Sequence, residues 1–463
     1  MNRITFHGAA ETVTGSKYLL ESARSKVLID CGLFQGLKEL RQRNWQPPPF
    51  QASTVDSIVV THAHIDHIGY LPRLVRDGFR GNIYCTAATA QLCELQLFDT
   101  AHCEEEDARY ANRKGYSKHR PALPLFDSND VRRTLTLLRS QPTSTMFCAA
   151  QSIYCAFHDA GHLLGSAMIE VELRDSSPPI RILFSGDVGR YDAPLYHDPK
   201  PPPQCDYLIC ESTYGDRDHP VENALDELST VVRAGIERGG VIVIAAFAVG
   251  RTQQLVYLLQ TLARQQRIPS VPTYVDSPMA IEASQIYCEH AADHDLSEAR
   301  LTVPVEMLDW PAVHYTRTTQ ESKEINAVDG PAIIISSSGM MTGGRILHHL
   351  KHRLSDSRNT ILIGGYMAPG TRGRMLADGA PYLRLQGRDV PNRAAVARIP
   401  ALSGHADRSE LLRWLSPLAT PRTCFLTHGE LTSARSLAEE LHSARGWNVQ
   451  IPRQGQSFEL AST

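Results

Sequence analysis

Short apolar runs separated by tight turns open the chain and predict strands. The runs RITFHG, KYLLE, KVLIDCG, SIVVTHA and NIYC, within residues 3–85, are rich in β-branched and aromatic residues. Helical patterning follows over about 86–112, and then to about 140 from Asp127 or Ser128, either of which is a suitable N-cap. Strands are predicted again over 152–158, 167–173, 180–184 and 207–210.

A strict alternation of helices and strands begins after Glu211. Helices are predicted over 222–238, 251–266, 278–292 and 343–354, and strands over 241–247, 273–275, 332–336 and 359–363. The runs VIVIAAFAV and AIIIS lack polar alternation, so we expect a parallel sheet covered on both faces. From about Arg393 the β-rich texture returns, with a strand to Leu402, helices over 408–416 and 431–444, and a strand over 423–426.

Composition and charge exclude several classes of protein. The 463 residues include 47 Lys and Arg against 50 Asp and Glu, so a phosphate-bearing partner must be held by a local site. The longest apolar run, 241–249, is far shorter than the roughly 20 residues of a membrane span. The N-terminus MNRITFHGAA turns polar at once, and the ten cysteines contain no C-x-x-C pair. We expect no membrane partner and a cytoplasmic protein with reduced thiols; the oligomeric state stays open.

The sharpest motif is His62-Ala-His64-Ile-Asp66-His67, where the strand SIVVT ends and a helix begins. Imidazole and carboxylate groups suit zinc. The spacing lets His62 and His64 converge on one ion while Asp66 and His67 turn toward a second. A polar turn with chance histidines is the structural alternative, which four such side chains in six residues disfavour.

Further ligand candidates follow strands elsewhere in the chain. His162 lies in AGHLLGSA, Asp187 in LFSGDVGR and His428 in FLTHGE. Each alone is more often structural, but together with the first motif they complete a site at loop positions. Asp30, at the end of VLIDCG, is expected to accept a hydrogen bond from a ligand histidine or a bridging water.

This pattern resembles the metallo-β-lactamase fold hydrolases, whose signature is H-x-H-x-D-H followed by separate His, Asp and His ligands. The resemblance implies a four-layer αββα domain and two zinc ions that share a hydroxide nucleophile. It implies that one zinc is held by His62, His64 and His162, the other by Asp66, His67 and His428, with Asp187 bridging. The signature alone does not choose among thioester, lactam and phosphodiester substrates.

The chain between Asp187 and His428 is much longer than one βα excursion needs, so the alternating α/β domain is inserted in the metal domain. We assign residues 1–215 and 394–463 to the metal domain and 216–393 to the insertion. This arrangement, with Glu211 in CESTYGD and His405 in LSGHAD, resembles the β-CASP nucleic-acid hydrolases. The last motif has a histidine, His428, and in this the chain resembles the RNA-processing branch of that subgroup.

His405 is the candidate general acid. Cleavage of a phosphodiester expels an alkoxide, so protonation by a nearby acid is valuable. Glu211 would orient His405 and keep it protonated, and Asp66 is counted with them among the catalytic residues. The alternative is a histidine without a catalytic role at a helix start capped by Asp407.

Two turns of the insertion are candidates for phosphate binding. Gly250-Arg251-Thr252-Gln253 and Ser336-Ser337-Ser338-Gly339-Met340 each follow an apolar strand and are expected to open a helix, whose free N–H groups favour an anion. Such turns are common in any α/β domain, but the resemblance implies that they line an RNA channel. The candidate contacts are Arg251, Thr252, Ser336, Ser337, Ser338, Gly339 and Met340.

The sequence therefore predicts a zinc-dependent ribonuclease that cuts single-stranded RNA endonucleolytically and leaves 5′-phosphate and 3′-hydroxyl ends. One alternative is a 5′-to-3′ exoribonuclease. Another is a small-molecule hydrolase of the same fold, acting on a thioester, lactam or simple phosphodiester, which leaves the insertion and SGHAD unexplained. A non-catalytic RNA-binding scaffold is disfavoured because every expected ligand is present.

Overall fold

The computed structural model describes residues 2–115, 117–220, 223–294 and 310–461. The chain divides into a first unit, formed by Met1–Asp218 with His405–Thr463, and an inserted unit, His219–Gly404. The sequence pattern put these divisions after residues 215 and 393. The second division lies later because Ala395–Arg398 forms a strand that pairs in parallel with Thr360–Ile363 of the inserted unit.

One sheet of the first unit contains the N-terminal strands and the last strand of the chain. Its strands are β1 (Asn2–Phe6), β2 (Tyr18–Glu21), β3 (Lys26–Ile29), β4 (Ser57–Val59), β5 (Asn82–Cys85), β6 (Leu138–Ser140) and β22 (Ser457–Leu460). Among the described residues their order is β22-β1-β2-β3-β4-β5-β6. The parallel strands β3 and β4 put the residues that follow them, Asp30 and the histidine motif, at one edge of the sheet.

The second sheet of the first unit supplies the remaining candidate residues. Its strands are β7 (Phe147–Ala150), β8 (Ile153–Asp159), β9 (Ala167–Leu173), β10 (Ile180–Phe184), β11 (Tyr207–Glu211), β20 (Thr423–Thr427) and β21 (Val449–Gln450). In the described part of the chain their order is β21-β20-β11-β10-β9-β8-β7. Strands β10, β11 and β20 run parallel, so Asp187, Glu211 and His428 come together at their carboxyl ends.

The core of the first unit lies between these sheets, where Phe6, Phe184 and Phe425 belong to one buried cluster. Its helices are α1 (Lys38–Arg43), α2 (Ile65–Ile68), α3 (Leu71–Arg76), α4 (Ala87–Lys114), α5 (Ser128–Leu135), α12 (Arg408–Leu415) and α13 (Leu431–Arg445). Helices α3, α4 and α5 pack together and α4 contacts β6, while α12 and α13 pack on the second sheet through Trp414 and Leu437. The predicted four-layer αββα fold is confirmed.

The inserted unit is built on a parallel sheet. Its strands are β12 (Val241–Ala245), β13 (Thr273–Asp276), β14 (Val313–Tyr315), β15 (Ala332–Ser336), β16 (Thr360–Ile363) and β19 (Ala395–Arg398), with a separate hairpin of β17 (Tyr382–Leu385) and β18 (Arg388–Pro391). Within the described ranges the sheet order is β14-β13-β15-β12-β16-β19. Every residue of β12 and β15 is buried, as the unbroken apolar runs predict.

Helices of the inserted unit alternate with these strands. They are α6 (Ala224–Glu237), α7 (Arg251–Arg264), α8 (Pro278–Glu289), α9 (Thr319–Glu324), α10 (Ile346–Arg353) and α11 (Arg372–Ala377). The predicted α/β insertion is thereby confirmed. Across the described ranges of both units, no helix combines the length and the apolar character that a membrane crossing requires.

Several element boundaries differ from the sequence-based predictions. The helix expected to reach residue 140 ends at Leu135, because Leu138–Ser140 pairs in parallel with β5. The strand expected to continue to Leu402 ends at Arg398, and Pro400 starts a 3-10 turn instead. The helix predicted from residue 343 begins at Ile346. The predicted first residue of the helix over 222–238 lies outside the described residues.

Candidate metal centre

The histidine motif occupies the turn between β4 and α2. His62 and His64 precede the helix, and Asp66 and His67 lie within it. The chain after β3 fixes this turn, because the Cys31 N–H donates to the carbonyl of His67 at 2.7 Å. A Cβ atom at Gly32 would lie 1.5 Å from the carbonyl oxygen of Asp66, so only glycine allows this approach.

Three histidines form one group of converging nitrogens. Nε2 of His62 and Nδ1 of His64 lie 3.0 Å apart, and Nε2 of His162 lies 3.3 Å from the same His64 atom. With Asp187, these side chains offer ligand atoms that all lie within 4.8 Å of one another. That is the reach of a single metal ion with nitrogen and oxygen ligands.

Asp66, His67 and His428 form a second group of the same kind. Nε2 of His67 lies 3.3 Å from Nε2 of His428, which is 3.4 Å from Oδ2 of Asp66. His428 follows β20 in a left-handed backbone conformation, with φ at 47°. Two separated parts of the chain thus supply this group.

Asp187 lies between the two groups. Its Oδ2 is 3.4 Å from Nε2 of His62 and 3.6 Å from Nε2 of His162. Its Oδ1 is 3.4 Å from Nε2 of His67 and 3.5 Å from Nδ1 of His428. The two oxygens of one carboxylate therefore face different ligand groups, as a bridging ligand would.

The protonation states in this cluster suit a cation. Burial lowers the pKa of His64 to about 4 and that of His62 well below its ordinary value, so both imidazoles are in the neutral form that binds metal. Burial disfavours the charged form of Asp187, but His428 and His67 outweigh it and hold the pKa of that carboxyl well below its usual range. Oδ1 of Asp187 is buried and accepts no hydrogen bond from the described residues. A buried carboxylate oxygen that accepts no hydrogen bond fits a metal cation.

Asp30 lies behind His67. Its Oδ2 is 2.7 Å from Nδ1 of His67 and accepts a hydrogen bond from the Thr61 hydroxyl at 2.9 Å, while its Oδ1 accepts one from the Thr61 N–H at 2.8 Å. Burial opposes a charged His67, yet the carboxylates of Asp187 and Asp30 raise its pKa well above the ordinary value. The contact with Asp30 leaves Nε2 of His67 directed toward His428.

Glu211 and His405 stand beside this cluster in the first unit. Nδ1 of His405 is 3.2 Å from both carboxylate oxygens of Glu211, and the Val188 N–H donates to Oε1 of the same carboxylate at 2.6 Å. Nε2 of His405 is 3.9 Å from Oδ2 of Asp187. Burial disfavours the imidazolium, but Glu211 and Asp187 outweigh it and raise the pKa of His405 to about 9.

Two threonines that the sequence did not single out also contact the candidate ligands and Asp30. The Thr213 hydroxyl donates to the carbonyl of His428 at 3.0 Å and lies 3.2 Å from its Nδ1. Thr61 contacts Asp30 and lies 3.0 Å from Nδ1 of His62. Threonine has no spacing signature of its own, but the positions one residue before His62 and two residues after Glu211 were the available signals.

The candidate phosphate turns lie in the inserted unit. Arg251 and Thr252 open α7 after Gly250, whose φ is 83°, and the Thr252 hydroxyl donates to the carbonyl of Phe247 at 2.9 Å. The expectation that 336–340 opens a helix is wrong, because α10 starts only at Ile346. The Ile346 N–H instead donates to the carbonyl of Ser337, closing a loop over these residues.

The residues of that second turn, 336–340, also contact other parts of the inserted unit. The Ser336 hydroxyl donates to the carbonyl of Asp276 at 3.1 Å, and the Ser337 hydroxyl donates to the hydroxyl oxygen of Ser277 at 2.9 Å. Ser338 accepts from the Thr342 N–H at 3.0 Å. Gly339 packs against the ring of Phe247, and the Met340 carbonyl accepts from the Gly373 N–H at 3.1 Å.

Models of three protein families match the chain. One described as a beta-lactamase superfamily domain matches residues 25–117. One described as a Beta-Casp domain matches residues 252–376. The third, described as a Zn-dependent metallo-hydrolase RNA specificity domain, matches residues 389–452.

Several characterised relatives match along almost the whole chain. Ribonuclease TTHA0252 of Thermus thermophilus is 36% identical over 99% of this chain and 100% of its own length. Transcription termination factor FttA of Methanosarcina mazei is 30% identical over 95% of this chain and 69% of its own length. An RNase J-like protein of Methanocaldococcus jannaschii is 29% identical over 94% of each chain. A solved structure of a protein of unknown function from Enterococcus faecalis, 13% identical, covers 99% of this chain and 100% of its own with a TM-score of 0.55, a likeness of fold alone.

Proposed function

Because the chain belongs to the β-CASP ribonucleases of the metallo-β-lactamase fold, we propose that it is a zinc-dependent endoribonuclease acting on single-stranded RNA. One observation carries the proposal: the two oxygens of Asp187 face separate ligand groups, and the His405–Glu211 pair stands beside them. A carboxylate placed between two ligand groups suits a two-metal hydrolase, and phosphodiester cleavage gains from an acid beside the metal site.

Two zinc ions are the proposed cofactors. His62, His64 and His162 would hold one, and Asp66, His67 and His428 the other, with Asp187 between them. When bound, the pair supplies Lewis acidity and lowers the pKa of a water molecule, so that it can act as the nucleophile at neutral pH. Asp30 and Thr61 would keep His67 in the orientation that directs Nε2 inward.

His405 is the proposed general acid. The contact of its Nδ1 with Glu211 supports a doubly protonated ring whose Nε2–H is directed away from Glu211, toward Asp187. That proton would pass to the departing 3′ oxygen as the bond to phosphorus breaks. The products would then carry a 5′-phosphate and a 3′-hydroxyl end, and Glu211 would stabilise the charged imidazole before transfer.

The inserted unit would bind the RNA backbone. Arg251 and Thr252 at the start of α7 are supported as phosphate contacts, because a helix N-terminus after glycine favours an anion. Ser336, Ser337, Ser338, Gly339 and Met340 are proposed as a second contact through their loop rather than through a helix end. The cytoplasm is the proposed compartment, since all ten cysteines are free.

Circular single-stranded RNA tests the proposal sharply, because a circle has no end for an exonuclease. The zinc-loaded protein should linearise the circle and then shorten it. Degradation of a linear, 5′-phosphorylated control with the circle left intact would make the protein a 5′-to-3′ exoribonuclease. Turnover of a thioester or lactam with both RNAs intact would identify a small-molecule hydrolase instead.

A further inference from the structure

Trp45 is an exposed indole on the chain that follows β3. Its side chain is 52% exposed, whereas Trp310, Trp414 and Trp447 are 8%, 1% and 1% exposed. Burial of an indole is strongly favourable. An indole left in solvent is therefore a candidate contact for a partner.

The backbone on both sides of Trp45 is fixed. Oδ1 of Asn44 accepts the Phe34 N–H at 2.9 Å, and Nδ2 of Asn44 donates to the Phe34 carbonyl at 2.8 Å. The Tyr70 hydroxyl donates to the carbonyl of Gln46 at 3.3 Å. A ring on an anchored backbone loses less conformational freedom when it binds than one on a free loop.

The Trp45 segment, residues 31–46, is hydrogen-bonded to the histidine motif and to the residues that follow it. The Leu33 N–H donates to the carbonyl of Ile65 at 3.0 Å, and the Tyr70 N–H donates to that of Cys31 at 2.9 Å. Ile65 is the first residue of α2, the helix that contains Asp66 and His67. The Trp45 segment and the candidate ligands thus share one backbone framework within the first unit.

The local charge is positive although the chain has a net charge of −3. Lys38 and Arg41, on α1, are exposed, and Arg43 has its guanidinium 5.4 Å from the centre of the Phe34 ring. Glu39 supplies the opposing charge of this helix. Cations within a few residues of an exposed aromatic ring suit single-stranded nucleic acid, since such a ring can stack on a base while the cations meet phosphates.

We propose that Trp45 is a stacking platform for a base of single-stranded RNA, with Lys38 and Arg41 as its phosphate contacts. The proposal deepens the ribonuclease function and rests on it. A protein partner is less well supported, because Leu37 is the other large exposed apolar side chain that the structure describes on this segment. A stable protein interface buries about 800 Å² on each partner, far more than two side chains offer.

Fluorescence and binding measurements test the platform directly. The zinc-loaded His405→Ala protein, which is expected to bind RNA without cutting it, is titrated with a fluorescein-labelled single-stranded RNA of about 12 nucleotides. Trp45→Ala should weaken binding about 5- to 100-fold, and Trp45→Phe, which keeps a stacking ring, should retain most of the affinity. Iodide quenching should reveal an accessible indole that RNA protects and that Trp45→Phe lacks.

Leu123→Ala is the matched control, because Leu123 is also an exposed apolar side chain of the first unit, 65% exposed, but carries no ring. Unchanged binding by Trp45→Ala, or an equal loss in both alanine variants, would overturn the platform. Protection of the indole that rises with protein concentration without RNA would assign Trp45 to self-association and also overturn it. Failure of the parent protein to bind RNA at all would instead count against the ribonuclease function.

Discussion

The imidazole of His405 faces the buried carboxylate of Glu211, with its Nδ1 3.2 Å from each of the two oxygens. The two residues come from distant parts of the sequence, yet both belong to the first unit. The negative charge favours the imidazolium, so the pair can hold a proton beside Asp187.

Replacement of His405 by alanine should lower kcat by about 100- to 10,000-fold, the range expected for loss of a general acid. Bound zinc should be unchanged, because the two ligand groups are complete without His405. Single-turnover cleavage and metal analysis of the same preparation measure both quantities. His405 also lies within ligand distance of Asp187 and His428, so a loss of zinc in this variant would make it a ligand rather than the acid.

Glu211→Gln should reduce kcat by about tenfold or more while KM changes little, because the amide keeps the shape but loses the charge that stabilises the imidazolium. The Val188 N–H can still donate to the remaining oxygen, so folding should persist. Steady-state kinetics on RNA, with thermal unfolding as a check, measure the effect. A pure KM effect would place Glu211 in RNA binding instead.

Asp30→Asn should weaken zinc binding by about 10- to 100-fold, as expected when a ligand histidine loses its carboxylate partner. His67 would keep its position but lose the charge that fixes its Nδ1 proton. Competition with a chelator gives the affinity, and Asp77→Asn is the control, since Asp77 pairs with Arg73 at the surface. Equal zinc affinity in Asp30→Asn and the native protein would contradict the role assigned to Asp30.

Lys17 predicts a pH dependence of stability. Its ammonium is buried between the rings of Phe34 and Tyr70, at 4.9 and 4.7 Å from their centres, and burial lowers its pKa from 10.5 to about 8. The folded protein therefore loses this proton before the unfolded chain does, so the contribution of Lys17 to the stability of the native protein rises with pH between about 8 and 10.5.

Lys17→Met removes this titration. The difference in free energy of unfolding between native protein and variant should shift in favour of the native protein by about 3 kcal/mol across that window. Urea unfolding at a series of pH values gives this difference. A difference that stays constant with pH would show that Lys17 has an ordinary pKa in the folded protein.

Candidate ligands could be chosen from the sequence because metal-binding chemistry depends on residue type and on position relative to the strands. Histidines and aspartates that follow neighbouring parallel strands come to one edge of a sheet, as Asp187 and His428 do in the second sheet of the first unit. The fold was predictable for the same reason, since the unbroken run of β12 demands burial on both faces.

Other features depend on contacts that no local pattern encodes. Residues 138–140 read as the end of a helix, but pairing with β5 makes them a strand. The turn after Ser336 resembles a helix start, yet its hydroxyls and backbone close a loop before Ile346. The contacts of Thr61, with its hydroxyl between Asp30 and His62, become visible only once the fold brings the distant Asp30 next to Thr61.

The central claim is best tested by end-group analysis of a 5′-labelled single-stranded RNA incubated with zinc-loaded protein. His64→Ala, which should bind less zinc, serves as the blank, and His102→Ala, which changes an exposed histidine of α4, controls for histidine loss in general. The account predicts internal fragments with 5′-phosphate and 3′-hydroxyl ends from the native and His102→Ala proteins and none from His64→Ala. Fragments with 2′,3′-cyclic phosphate ends, or equal cleavage by His64→Ala, would contradict it.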